Sequence, residues 1–295
     1  MSDAAARLTV VTGKATSPGR KRLTSIAIHV ALISASILML YPLLWLLSAS
    51  VRPENEIFGS ASIIPSAFSL DAYVRGWNGL RTGFGTFYLN SFIISGLSVI
   101  GNVAACSMAA FAFARLEFRF KSFWFAMMLM TLMLPYQVTL IPQYVLFRQL
   151  GWVNTFLPLV VPKFLAADGF FIFLMVQFFR GLPRELDEAA QMDGCSPWRI
   201  YWKIILPLST PVLATAAIFT FIWTWDDFFG PLIYLSEMKS YTVMLGLRTF
   251  TDSTGESDYG GLFAMSALSL VPIFLFFLFF QRLLIEGIAT TGMKR

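Results

Sequence analysis

Five stretches of this chain contain no Lys, Arg, Asp or Glu: 23–51, 82–114, 122–147, 204–225 and 259–281. Each exceeds the roughly 20 residues that carry an α-helix across about 30 Å of hydrocarbon. A sixth run, from about Phe156 to Phe179, is equally apolar but holds Lys163 and Asp168. Inside a bilayer every backbone N–H and C=O must be satisfied internally, so such runs fold only as helices or closed barrels. Barrel strands alternate in segments of about ten residues, whereas these runs are continuous. The expected spans are therefore about 24–47, 88–114, 122–147, 156–179, 208–229 and 259–284, an all-α membrane protein with six transmembrane helices. Composition agrees, with charged residues at 13% of the chain against about 25% in soluble domains.

Orientation follows from the bases. With both ends inside, the inner segments 1–23, 115–121, 180–203 and 282–295 hold 15 of the 22 Lys and Arg, and the outer segments hold 6. That asymmetry predicts that both termini are cytoplasmic. It also accounts for the net charge of +5 without nucleic acid, and no basic stripe is interleaved with stacking aromatics. The first run follows "RKR" and precedes "SAS", but it far exceeds a signal peptide's apolar core and reads as an uncleaved anchor. Residues 1–23 read as a disordered cytoplasmic tail and 291–295 as a short C-terminal one. Cys106 and Cys195 fall in a span and in an inner segment, and the chain has a single His. No metal site is expected.

One inner segment, 180–207, is far longer than a connection needs. Pro183 suits a first helical turn, and Glu185, Asp187 and Glu188 suit the positive end of a helix dipole. Gly194 supplies a left-handed stop. Ser196 then caps a second helix with Pro197 in its first turn. The segment reads as helix, glycine turn, helix. Two readings stand for it: docking into a groove of a soluble partner through small Ala189 and Ala190 and aromatic Trp198, Tyr201 and Trp202, or an amphipathic helix resting on lipid.

Within that hook, "EAAQMDG" (188–194) followed by "IILPLSTP" (204–211) resembles the EAA motif of ABC importer permeases. The segments "FAFARLEFRFKS" (111–122), "MLPYQVTLIPQYVLFRQLGWVNT" (133–155), "FFIFLMVQFFRGLP" (170–183), "FTFIWTWDDFFGPLIYL" (219–235) and "FFQRLLIEGIATTGMKR" (279–295) are similar to carbohydrate permeases of the maltose-permease kind. The resemblance covers nearly everything after residue 24. It implies a type I, MetI-like permease fold in a bacterial inner membrane. It implies that the hook couples to an ATPase through Glu188, Ala189, Ala190, Asp193 and Gly194. It further implies a second permease subunit, two cytoplasmic ATPase subunits that bind ATP and Mg, and an extracytoplasmic solute-binding protein. The chain has no G-x-x-x-x-G-K loop of its own. It departs from the family pattern at Asp226, where Asn is usual, and at Cys195, where Ala is frequent.

The candidate solute pathway is Gln137, Gln143, Asp168, Trp223, Trp225, Asp226 and Asp227. Sugars pack C–H faces on aromatic rings and need hydrogen bonds for their hydroxyls. An interfacial aromatic belt explains the tryptophans equally well, though not two adjacent acids. Asp168 lies about 18 Å from Arg180 along a helix, near mid-bilayer. An isolated charge there is costly, so it lines a wet path or is satisfied structurally; both readings stay open. Lys163 is expected to snorkel, and Asn90 to hydrogen-bond between helices. The spacing of Gly101, Ala105 and Ala109 allows a close helix crossing. The resulting expectation is the membrane subunit of an ATP-driven carbohydrate importer, itself not an enzyme. The alternatives are a secondary transporter, which would show internal repeats and charged coupling sites, and a membrane-embedded enzyme, which would need a nucleophile–base or metal constellation. Neither pattern is present in the sequence.

Overall fold

The computed structural model describes residues 18–59, 62–251 and 257–292, with side chains at 18–21, 23 and 283–292 outside the description. Four helical segments, one of them interrupted, are long and apolar enough to cross a membrane, within 24–49, 84–115, 157–181 and 259–282. Two helix pairs would raise the number of spans to six. They are bent by 100° and 77° at short breaks.

Helix α1 (Pro18–Ala49) begins inside the segment expected to be a disordered tail, and residues 1–17 of that tail lie outside the described residues. Most of α1 is exposed and apolar, as suits contact with lipid. It is anchored near its end, where Trp45 meets Phe263 edge-on at 5.3 Å. A short surface helix, α2 (Asp71–Asn78), follows. Ser69 Oγ accepts from Asp71 N at 3.1 Å at its start, and buried Ala72 and Gly76 face the bundle. Gly76 lies so close to Met265 that a β-carbon would sit 3.0 Å from its Cγ.

Helix α3 (Phe84–Arg115) is the longest well-buried element. The third expected span, 122–147, is two helices, α4 (Lys121–Thr131) and α5 (Tyr136–Gln149). The break sits at Pro135, whose ring cannot continue a helix, and Pro142 is carried inside α5. The fourth expected span, 156–179, is not continuous. It consists of α6 (Leu157–Val160), a 3₁₀ turn over Val161–Leu165, left-handed Ala166 (φ 51°) and α7 (Gly169–Gly181). Pro158 and Pro162 sit in the first turns of α6 and of the 3₁₀ turn, where a missing N–H costs little, and the ladder stops at 166–168. The break is seated on α3: a β-carbon on Gly101 would lie 2.4 Å from Phe164 Cδ2. The small residue at that position is therefore required by a ring.

The hook holds α8 (Glu185–Met192), α9 (Pro197–Ile200), a π-helical turn over Tyr201–Ile205 and α10 (Leu206–Leu208). Helix α11 (Thr210–Trp225) ends earlier than the 208–229 expected, and a separate α12 (Phe229–Tyr234) follows. Short α13 (Val243–Leu247) precedes α14 (Tyr259–Gly292), which runs past the expected 284.

Two buried cores result. One, at the hook end, joins α3, α7, α8, α9 and α11 around Phe171, Met175, Phe179, Tyr201 and Ile205. The other, at the far end, joins α2, α3, α11, α13 and α14 around Phe84, Phe87, Trp225, Val243 and Met265.

Candidate functional site

Two regions carry the candidate residues, the hook at one end of the bundle and a cavity beside the broken fourth span. In the hook, three acids occupy the first turn of α8, where the dipole favours them. The chain reverses through Asp193 and Gly194, whose φ of 75° lies in the left-handed region that glycine adopts at least cost. Ser196 Oγ then accepts from Arg199 N at 3.4 Å, with Pro197 in the first turn. The backbone is the helix, glycine turn and helix expected from the local sequence.

The orientation of the side chains is decided by packing. Glu188, Ala189, Asp193 and Gly194 are exposed, and so are Trp198 and Trp202. Ala190 is buried in the hook-end core. Tyr201, expected on the docking face, is buried as well, and its hydroxyl lies 2.7 Å from Ser107 Oγ on α3.

The second region is a cavity of about 520 Å³ lined by Tyr136, Gln143, Pro158, Leu159, Pro162, Lys163, Ala167, Asp168, Trp223, Asp227 and Tyr234. A smaller one of about 90 Å³ shares Leu159, Lys163, Trp223 and Asp227 with it. The break in the fourth span creates the polar wall. Lys163, in the 3₁₀ turn, and Asp168, just before α7, pair at 3.2 Å. Lys163 was expected to snorkel; instead its ammonium turns to a carboxylate five residues on. Asp227 Oδ1 accepts from Gly230 N at 3.1 Å, and Asp227 lines both cavities. The Tyr234 hydroxyl is buried with no hydrogen-bond partner among the described residues. An unpaired buried hydroxyl is costly, and at a cavity wall it is a ready donor or acceptor for a bound molecule. Aromatic faces come from Trp223 and Tyr136, both about half exposed, while the Tyr234 ring is buried and stacked on Tyr144.

Of the seven pathway candidates, the cavity gathers Gln143, Asp168, Trp223 and Asp227. Gln137 and Asp226 are exposed and line neither cavity. Trp225 is a correction: its side chain is fully buried in the far-end core. It is stacked on Phe221, edge-on to Phe92 at 4.8 Å, and donates from Nε1 to Ser269 O at 3.1 Å. Two positions along a helix turn a side chain by about 200°, so Trp223 and Trp225 face opposite ways. Tyr234 was missed, because a tyrosine after an apolar run carries no local sign of facing a cavity rather than an interface. Asn90 does not bridge helices. Its Nδ2 donates to the carbonyls of Lys239 and Tyr241 at 2.8 and 2.9 Å, pinning the loop before α13. In that loop Lys239 and Asn154 both bond Glu237. The Lys239 ammonium, first, and the Asn154 amide hold the Glu237 carboxyl below the usual range.

The family described as "binding-protein-dependent transport system inner membrane component" matches residues 101–290, which include the hook and most of the cavity. The chain is 34% identical, over 86% of its length, to an arabinooligosaccharides transport system permease protein of Halalkalibacterium halodurans, covering 91% of that protein. It is 30% identical, over 92% of its length, to a trehalose/maltose transport system permease protein of Thermococcus litoralis, covering 98% of it. In fold it is similar to a chain of a bacterial ABC transporter involved in the import of the acidic polysaccharide alginate. The TM-score is 0.80 and the identity 21%, over 90% of this chain and 98% of that one.

Proposed function

We propose that this chain, which belongs to the family of binding-protein-dependent transport system inner membrane components, is the permease subunit of an ATP-driven importer of carbohydrate. The observation that carries the reading is the family match, which spans both hook and cavity in a chain whose relatives are named as oligosaccharide and disaccharide permeases. A secondary transporter lacks that support. The bent α4–α5 pair crosses the bilayer as one span and α11 as another, giving six, with both termini and the hook in the cytoplasm. The distribution of bases motivates this orientation.

The partners are a second permease subunit, two ATPase subunits that bind ATP and Mg, and an extracytoplasmic solute-binding protein. The chain itself performs no covalent chemistry and needs no cofactor. Exposed Glu188, Ala189, Asp193 and Gly194 enter a groove of an ATPase subunit, while buried Ala190 anchors the helix behind them. Closure of the ATPase pair moves the hook, and the spans rock to alternate access. The solute passes through the cavity. Its ring faces pack on Trp223 and Tyr136, and its hydroxyls bond Gln143, Lys163, Asp168, Asp227 and the Tyr234 hydroxyl.

The test is ATP hydrolysis and sugar uptake by the assembled complex in lipid vesicles, with and without binding protein. Binding protein with sugar is expected to stimulate hydrolysis. Gly194→Pro, which forbids a φ of 75°, is expected to remove that stimulation. Solute flux with no ATPase subunit bound, unchanged in the variant, would overturn the reading.

A further inference from the structure

Helix α3 runs through both buried cores. Phe84 and Phe87 belong to the far-end core, and Cys106, Ala110, Phe111 and Ala114 to the hook-end core. It contains no proline, whereas α1, α5 and α14 carry Pro42, Pro142 and Pro272. Nothing in its sequence therefore introduces a proline kink.

Both ends of α3 are fastened by side chains to connecting segments. Near one end Asn90 holds the carbonyls of Lys239 and Tyr241, and Ser91 Oγ accepts from Val243 N at 2.9 Å. At the other end the Arg115 side chain is only 4% exposed. It donates to Leu182 O at 2.9 Å and pairs with Asp187 at 3.1 Å. The two fastenings are about 38 Å apart along the axis. Leu182 is the root of the hook, and Asp187 is in the first turn of α8, next to Glu188.

A guanidinium is rarely buried unless paired, and both partners of this one belong to the hook. The ion pair is a single contact from Nη1 to Oδ2. Among the described residues neither Arg115 Nε nor Asp187 Oδ1 has a hydrogen-bond partner. A bidentate pair would fix orientation. This one, with the Leu182 carbonyl, ties α8 and its root to α3 through a single guanidinium.

We propose that Arg115 is a positioning residue for coupling. Through Asp187 and the Leu182 carbonyl it pins α8 to α3, and α3 carries displacement of the hook to the 239–243 loop on the opposite side of the membrane. The proposal rests on the reading of the hook as the ATPase-docking element.

The experiment uses the full assembly in vesicles, with hydrolysis read as the ratio of binding-protein-stimulated to basal rate. Arg115→Met risks misfolding, so the informative variants are Asp187→Asn, nearly isosteric, and Asn90→Ala at the other fastening. Asp187→Asn is expected to keep ATPase subunits bound and basal hydrolysis near wild type, while the ratio falls about tenfold, as loss of a buried ion pair allows. Asn90→Ala is expected to lower the same ratio, and the double variant to lower it no further than the stronger single. A wild-type ratio in both single variants, in an assembly that otherwise couples, overturns the proposal and leaves the hook reading intact. An assembly in which wild type binds no ATPase subunit overturns both.

Discussion

In the hook, the residues that set the backbone lie within one short stretch: Pro183, three acids, Gly194, Ser196 and Pro197. In the cavity, the wall comes from α5, the broken fourth span, α11 and α12, with residues as distant as Tyr136 and Tyr234. The hook is built by local rules, each acting within a turn or two of helix. The cavity lies where a span breaks between Leu165 and Gly169, a segment seated on α3 through Phe164 at Gly101. A site of the first kind survives changes in its surroundings. One of the second kind is as sensitive to packing residues as to those that touch a solute.

The sharpest way to break this comparison uses the two neighbouring tryptophans. Trp225→Ala empties a fully buried site and is expected to lower stability by about 3–5 kcal/mol. Trp223→Ala removes a half-exposed ring at the cavity. Its buried half packs on Phe170, Phe171 and Phe219, so the substitution is expected to lower stability by about 1–2 kcal/mol while lowering sugar uptake. Thermal unfolding and uptake of the two variants in parallel check this; equal destabilisation would erase the distinction between cavity wall and core.

A smaller effect is expected at the ion pair. Lys163→Met leaves Asp168 without its partner, but the two side chains are 31% and 22% exposed. The cost is therefore about 1–2 kcal/mol, below that of breaking a fully buried pair. Uptake is expected to fall further than stability alone explains, since both groups line the cavity. Restored stability in Lys163→Met/Asp168→Leu without restored uptake would separate the two roles.

The smallest change is expected in the hook. Ser196→Ala removes a cap whose bond is long, 3.4 Å, so the loss is about 0.5 kcal/mol. Protease sensitivity of the 180–208 segment reads it, and wholesale loss of hook structure would show that the segment depends on more than local signals.

The path from sequence to site was clearest where periodicity or a special backbone residue acts alone. Charge-free runs located the apolar helices, and Gly194 with Ser196 located the hook's turn. Pro135 stands just before α5 at its 100° bend from α4, whereas Pro142 is carried inside α5, so a proline alone does not say whether a helix ends or continues. The broken fourth span was hidden, since an apolar run reads alike whether its ladder continues or not, and left-handed Ala166 carries no local sign of it. The lining of the cavity was half legible. Asp168 and Asp227 stood out as acids among apolar residues, and charge at that depth demands a partner or a wet wall.

What the sequence determined by itself is the class of molecule, its apolar helices and the form of the hook, because bilayer solvation and helix-end chemistry act on neighbouring residues. What the tertiary structure alone decided is which way each side chain faces. Trp225 is core and Trp223 is wall, Ala190 anchors while Ala189 is exposed, and Lys163 bonds Asp168 rather than reaching for water. Those outcomes depend on which helix packs against which, a matter of distances between residues far apart in the chain.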